Sequence, residues 1–351
     1  MHGLCCGKRE RKTIYYLSIL IIRLDGKRVY EMKVVDSVLE LVGNTPMIRL
    51  HKVTTGIEAN VLVKLEYLNP SGSYKDRIAL RMIEDAEKAR ILKPGYTIVE
   101  SSSGNTAIAL AFVGAVKGYK VRIFYPQEVW QQEKKKTLYR FGAEIETVPL
   151  VETKIARDAG VHGARVEIPG RVKCKEMEES KSDVWWARQF CNPSNVLAHN
   201  DLGREILKQT EGNVDVYVSS IGTGGNFLGV AQVLKEKIPR VKCIAVEPVE
   251  WPGWIDPLSP EARFILGITG GIMEQIRESG LVDEVVFVGN EDARNMAYRL
   301  SREEGMFCGM STGANVFVAI NEAKKLGSGK NVVTVAVDSG DRYFSDERFI
   351  T

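Results

Sequence analysis

Three short segments carry residue types that could do chemistry together. Asn69-Pro70-Ser71-Gly72-Ser73-Tyr74-Lys75-Asp76-Arg77 sets a lysine at the mouth of a helix read over 77–90. A helix N-terminus repels an ammonium group and so favours the neutral amine, which is the form that adds to a carbonyl to make an imine. A surface lysine beside Asp76 would look the same, and this segment alone leaves the two readings level. Glu100-Ser101-Ser102-Ser103-Gly104-Asn105-Thr106 lies just ahead of a helix read over 107–116. Free N–H groups at such a terminus suit a carboxylate or a phosphate. One N-cap serine would account for one of these residues, but not for the unbroken polar and glycine run. Ser219-Ser220-Ile221-Gly222-Thr223-Gly224-Gly225-Asn226 follows a strand and precedes an apolar helix, and its glycines let the backbone wrap an anion. It lacks the spaced third glycine of a dinucleotide fingerprint, and the Walker pattern fails as well. A bare phosphate cup is what remains.

The elements that must position these segments read as alternating strands and helices. Short β-branched runs at 61–63, 97–99, 121–125, 214–218, 243–246 and 332–337 have the near-continuous apolar character of strands buried on both faces of a parallel sheet. Helical stretches at 77–90, 107–116, 131–141, 202–209 and 226–237 fall between them. The expected class is α/β, with ligands bound where strands end and helices begin, and all three segments lie at such places. At 351 residues and 44% hydrophobic the chain is too long for one small core and too apolar for disorder. With 48 basic against 45 acidic residues, a net charge of +3 builds no field that would favour nucleic acid or an anionic membrane. A small molecule is the expected partner. Cys5, Cys6, Cys174, Cys191, Cys243 and Cys308 show no disulfide-like spacing, which favours a reducing, cytoplasmic setting. The stretch 167–183, rich in Lys and Glu around Pro169-Gly170, reads as a linker or mobile loop. In residues 1–31, Lys8, Arg9, Arg11 and Lys12 precede an apolar run at 15–22 that is too short to span a bilayer and has no cleavage site after it. That segment reads as an extension outside the core, in which His2, Cys5 and Cys6 carry no metal site.

A lysine suited to imine chemistry, a carboxylate loop and a phosphate cup are together the equipment of a pyridoxal phosphate enzyme. NPSGSYKDR, SSSGNT, QFCNPSN, GTGGN and VDSGDRY, in this order and at these separations, resemble the fold type II pyridoxal phosphate family of cysteine synthases (O-acetylserine sulfhydrylases) and cystathionine β-synthases. The resemblance runs from about Met32 to near the C-terminus. It implies a tryptophan synthase β-like fold of two three-layer αβα domains with the cofactor in the cleft. Residues 32–181 would form the N-terminal domain, containing a smaller mobile part at about 76–181, and 182–351 the larger C-terminal domain with the phosphate loop.

Carried over by position, the resemblance makes Lys75 the Schiff-base lysine and gives Asn105 the cofactor's 3′-oxygen. Ser102, Ser103, Asn105 and Thr106, with Gln189, would hold the substrate carboxylate. Gly222, Thr223, Gly224, Gly225 and Asn226 would hold the cofactor phosphate, and Ser339 would face the pyridine nitrogen. A neutral hydroxyl there leaves the ring a weaker electron sink than a carboxylate would. No metal is implied. The implied reaction is β-replacement by a transferase. O-acetylserine, as the first choice of O-activated L-serine, passes through an external aldimine and an α-aminoacrylate that sulfide attacks to give L-cysteine. A homodimer is implied as well. O-phosphoserine sulfhydrylase, cystathionine β-synthase, serine/threonine dehydratase and cysteine desulfhydrase activities stay open as alternatives, although the few residues after Tyr343 leave no room for a regulatory domain. Three features depart from or extend the pattern. Asn226 stands where Thr is usual, no double threonine occurs at 199–206, and Gly267-Ile268-Thr269-Gly270-Gly271 follows Arg263, a candidate contact for an acidic substrate group.

Overall fold

Valine- and isoleucine-rich runs whose alternate side chains are both buried become the strands of two sheets. The computed structural model describes residues 23–24, 27–28, 34–127, 131–149, 167–249 and 272–350. The chain divides into two units, Met1–Asp36 and Ser37–Thr351. In the first, β1 (Arg23–Leu24) and β2 (Lys27–Arg28) pair antiparallel. The remainder of the expected extension, with His2, Cys5 and Cys6, lies outside the described residues, as do Arg263 and the glycine-rich 267–271.

In the second unit the larger sheet contains β3 (Met47–Arg49), β4 (Asn60–Leu65), β9 (Val216–Ser220), β10 (Lys242–Pro248), β11 (Glu284–Val288) and β12 (Asn331–Ala336). Their spatial order is β11-β10-β9-β12-β4-β3, and all pairs are parallel except β3 with β4. Val61, Val63, Val216, Val218, Ile244 and Val246 face a core shared with α8 (Asn290–Arg299) and α9 (Met310–Ala323). The intervening Tyr217, Cys243 and Ala245 face α5 (Pro193–Gln209), α6 (Gly225–Lys237) and Ile276 of α7 (Met273–Glu278) on the other side. The period of two thus fills both faces, at about 1.5–3 kcal/mol for each fully buried aliphatic side chain.

The smaller sheet contains β5 (Thr97–Ser101), β6 (Lys120–Pro126), β7 (Glu144–Val148) and β8 (Val184–Trp186), all parallel in the order β7-β6-β5-β8. Ile98, Val121 and Ile123 pack on α1 (Lys75–Lys88) and α2 (Asn105–Lys117). Val99, Phe124 and Trp186 pack on Cys174 of α4 (Ile168–Ser180). Both sheets are therefore the middle layers of αβα sandwiches. β3 and β4, before residue 76, belong to the larger sheet and β8, after residue 181, to the smaller one, so the chain crosses between them more than once.

The structure corrects the reading of 167–183. This stretch is not a loop, because α4 runs through it with Pro169 in the first turn, where a missing N–H costs nothing. Gly170 is there for close approach, since a Cβ at that position would lie 2.2 Å from Ser101 Oγ. Helix starts also come earlier than read. α1 begins at Lys75, and α5 begins at Pro193, with the Asn192 side chain accepting from Ser194 N, rather than at 202. Four segments leave the C-terminal ends of parallel strands, where α/β sheets bind ligands. Lys75 follows β4, the serine loop follows β5, the glycine loop follows β9 and Ser339 follows β12.

Candidate active site

Lys75 is the first residue of α1 and is 7% exposed. Its Nζ donates to Thr223 Oγ1 at 3.2 Å, which joins the predicted lysine to the predicted phosphate loop. Burial pushes the amine down to about 7, against the pull of Glu167 and Asp338. Desolvation, more than the helix terminus invoked from sequence, is thus what makes it available as a neutral nucleophile. Thr223 Oγ1 also accepts from Asn195 Nδ2 at 2.9 Å, and Asn195 Nδ2 in turn reaches Gln189 O at 2.7 Å.

The glycine loop is built to bring bare backbone to a ligand. Gly224 has φ +89°, and a Cβ there would lie 2.8 Å from Ile272 N. At Gly225 a Cβ would come within 2.0 Å of Asn195 Oδ1. Asn226 Oδ1 accepts from the Tyr217 hydroxyl at 2.9 Å and the Ser219 hydroxyl at 2.7 Å. These two bonds orient the amide and leave Nδ2 buried with no partner among the described residues. The residue that stands in place of the usual threonine therefore offers a donor at a helix N-terminus, where an anion is favoured.

The serine loop divides its labour. Ser102 Oγ accepts from Gly104 N and Ala107 N, both at 3.3 Å, and so ties the loop to the first turn of α2. Ser103 points its N–H and its hydroxyl at one acceptor, Glu167 Oε1, at 3.0 and 3.2 Å. Thr106 donates its hydroxyl to Gln189 Oε1 at 2.5 Å, and Gln189 Nε2 donates to Ser101 O at 3.0 Å. Ser103, Thr106 and Gln189 thus come together as read. Asn105 spends its amide within the protein, donating to Asp338 Oδ2 at 2.6 Å and accepting from Arg342 Nη1. Ser339 is half-buried; its N–H donates to Gly72 O at 3.1 Å, next to the Lys75 segment.

Several residues around the site carried no functional assignment from the sequence. Glu100 is fully buried and accepts from Ser101 N, Gln189 N and Trp186 Nε1 at 2.8, 2.8 and 3.1 Å. Burial pushes its carboxyl up to about 7, against those bonds and the charge of Arg171. Lys134 of α3 (Gln132–Arg140) is buried, with its Nζ 4.4 Å above the Tyr343 ring. Burial brings it down to about 8. In a run of three lysines nothing in the sequence distinguishes it from Lys135 and Lys136. Asp338 stood in the Asp-Ser-Gly motif, yet its partners Asn105 and Tyr343 are remarkable only in three dimensions.

The family model described as pyridoxal-phosphate dependent enzyme matches residues 38–338. The chain belongs to this family. A cysteine synthase of Staphylococcus aureus is 40% identical over 315 residues, covering 89% of this chain and 96% of that protein. Among solved structures, cysteine synthase (OASS) from Entamoeba histolytica aligns with a TM-score of 0.82 at 35% identity, covering 94% of this chain and 95% of that one. The O-acetylserine dependent cystathionine beta-synthase of Helicobacter pylori aligns with a TM-score of 0.80 at 30% identity, covering 91% of this chain and 100% of that one. The fold is that of fold type II pyridoxal phosphate enzymes, and the cofactor is pyridoxal phosphate. The residues fit it: an amide without a partner among the described residues and two glycines that a Cβ would obstruct would cradle the phosphate, beside a buried amine of lowered pKa. Among the described residues no helix is long and apolar enough to cross a membrane, and no cluster of His, Cys, Asp and Glu could hold a metal.

Gly225→Ala is expected to lower cofactor affinity roughly tenfold or more, because overpacking against Asn195 costs about 1–3 kcal/mol. Titrating the apo-protein with pyridoxal phosphate reads this directly. A titration that matches wild type would count against the loop as the phosphate cradle.

Proposed function

We propose that the chain is an O-acetylserine-dependent cysteine synthase, a transferase that takes O-acetyl-L-serine and sulfide to L-cysteine and acetate. The observation that carries this reading is the meeting of Lys75 Nζ with Thr223 of the glycine loop at 3.2 Å, in the unit where Ser103 and the Thr106–Gln189 pair present their donors. The cysteine synthases among the relatives and solved structures point the same way.

In the reaction the Cβ–O bond of the donor breaks, acetate leaves, and a Cβ–S bond forms. Pyridoxal phosphate, when bound, supplies the electron sink that makes the amino acid's α-hydrogen acidic. Lys75 holds the cofactor between turnovers, and its Nζ takes the α-proton and later returns it. A pKa of about 7 suits both directions of that transfer at neutral pH. Gly222, Thr223, Gly224, Gly225 and Asn226 anchor the phosphate through backbone N–H groups and the Asn226 amide. Ser103, Thr106 and Gln189 orient the substrate's carboxylate, with Ser102 and Asn105 supporting the loop and the Asp338 side of the site. Ser339, a neutral partner for the ring nitrogen, keeps the sink weak enough that loss of the β-substituent is favoured over transamination. The part built on the smaller sheet closes on the bound amino acid and excludes water. The family resemblance supports a homodimer, and the unpatterned cysteines support a cytoplasmic setting; the four described ones are free.

The cofactor-loaded enzyme is expected to form L-cysteine and acetate one for one from O-acetyl-L-serine and sulfide, and faster than from L-serine or O-phospho-L-serine. Faster turnover of O-phospho-L-serine, a preference for homocysteine over sulfide, or pyruvate formed without any thiol would overturn the assignment. Those outcomes would favour a phosphoserine-dependent enzyme, a cystathionine β-synthase or a dehydratase, respectively.

A further inference from the structure

Glu167 contacts the residues read as the site of the substrate's carboxylate. Its Oε1 accepts both donors of Ser103, the N–H at 3.0 Å and the hydroxyl at 3.2 Å. Its Oε2 lies 3.5 Å from Gln189 Nε2. The residue is 7% exposed, and burial pushes its pKa up while Arg171, Ser103 and Lys75 pull it down. Both Ser103 donors are thus already taken by a carboxyl group of the same chain.

A second, independent observation is Arg171, one helical turn further on and 1% exposed. Its Nε, Nη1 and Nη2 have no hydrogen-bond partner among the described residues, and its guanidinium lies 3.4 Å from the centroid of the Phe190 ring. Nη2 is 3.8 Å from Glu167 Oε2, close enough for attraction and too far for a hydrogen bond. A guanidinium enclosed without partners is costly. The i,i+4 spacing puts Glu167 within a side-chain rotation of pairing with it.

We propose that Glu167 is an internal competitor for the substrate's carboxylate, and that binding of the amino acid moves the Glu167 carboxylate from Ser103 onto Arg171. The proposal rests on the reading of Ser103 and Gln189 as the substrate's carboxylate site. Its physical logic is an exchange of like for like. One carboxyl group leaves the cup as another arrives, so no buried donor is stranded. A ligand that lacks a carboxylate has nothing with which to displace Glu167, and the exchange therefore selects for amino acids over other amines.

The test is a calorimetric titration of the cofactor-loaded enzyme with L-alanine, which has the carboxylate but no leaving group, and with L-alaninamide, which lacks the carboxylate. Glu167→Gln is expected to tighten L-alanine binding roughly tenfold and to leave L-alaninamide unchanged. Arg171→Met removes the destination of the displaced carboxylate and is expected to weaken L-alanine binding by a similar factor. Where Glu167→Gln fails to fold, Arg171→Met carries the test, and unchanged affinity there overturns the proposal. Unchanged L-alanine affinity in Glu167→Gln, with Ser103→Ala weakening it, overturns the competitor and leaves the cup standing. Unchanged L-alanine affinity in both Ser103→Ala and Glu167→Gln also overturns the proposal, because neither side chain then meets the ligand's carboxylate. Equal tightening of both ligands in Glu167→Gln also overturns the proposal, because a site that is merely loosened has no preference for a carboxylate.

Discussion

Lys75→Ala is expected to cut turnover roughly a thousandfold or more, the scale of losing a positioned proton-transfer group, and to end covalent retention of pyridoxal phosphate. Borohydride treatment followed by peptide mass analysis should mark Lys75 in the wild type and no residue in the variant. The measurement discriminates, because Lys134 is a second buried amine whose pKa burial lowers, to about 8. A label on Lys134, or a variant that still bleaches with borohydride, would move the nucleophile away from Lys75. The pH dependence follows from the same burial. With the folded amine at about 7, the uncharged share grows as pH rises through that value and levels off above it. Uptake of pyridoxal phosphate by the apo-enzyme should climb through about pH 7 and then plateau. A climb centred near the ordinary lysine value would mean that Nζ is solvated.

The parts of this site that could be read from the sequence share one physical basis. Ser103 and Gly222 to Asn226 lie between a strand end and a helix start, and Lys75 opens a helix after a short connection from β4, so strand ending, glycine and helix N-terminus fall close together in the chain and leave a local pattern. Glu167 and Arg171 left none. Their helix begins with a proline and a glycine in a polar run, which reads as a loop unless one knows that Gly170 presses on Ser101. Asn195 and Asp338 were equally silent as functional groups, because Asn195 acts through Thr223 and Asp338 through Asn105, each brought near by the sheets. The strand–helix alternation was legible for a similar reason, being a local property of β-branched runs. The sheet order was not: β4 pairs with β12 across most of the chain, and such a pairing has no signature in either strand alone. Ser102 shows the opposite limit. A serine at a helix start reads equally well as ligand or as a tie to the first turn, and in the fold its hydroxyl accepts two N–H bonds of that turn.

Glu205→Gln is expected to destabilise the fold by about 3–5 kcal/mol, the usual cost of removing one partner from a buried ionic group. Lys64 lies within β4 with its side chain fully enclosed, and its Nζ reaches Glu205 Oε2 at 2.7 Å. Burial pushes the Lys64 amine below its ordinary value even with that carboxylate present. Arg77 donates to both Glu205 oxygens at 2.7 and 2.8 Å and grips Glu66 through Nε and Nη2 at 2.6 and 2.8 Å. Since Arg77 is two residues after Lys75 in α1, this cluster pins the helix start that presents the nucleophile. Burial alone would push the Glu205 carboxyl up, but the hydrogen bonds and charges of Arg77 and Lys64 outweigh it and hold the group at about 2. The folded pKa is depressed below the ordinary 4.5, so this contribution is fully present above that value and is lost as pH falls from about 4.5 toward about 2. The gap in urea midpoint between wild type and Glu205→Gln should therefore be wide at neutral pH and should narrow as the solution is acidified through that window. A gap that stays constant across it would mean that the carboxylate's charge contributes nothing, and that the loss comes from packing alone.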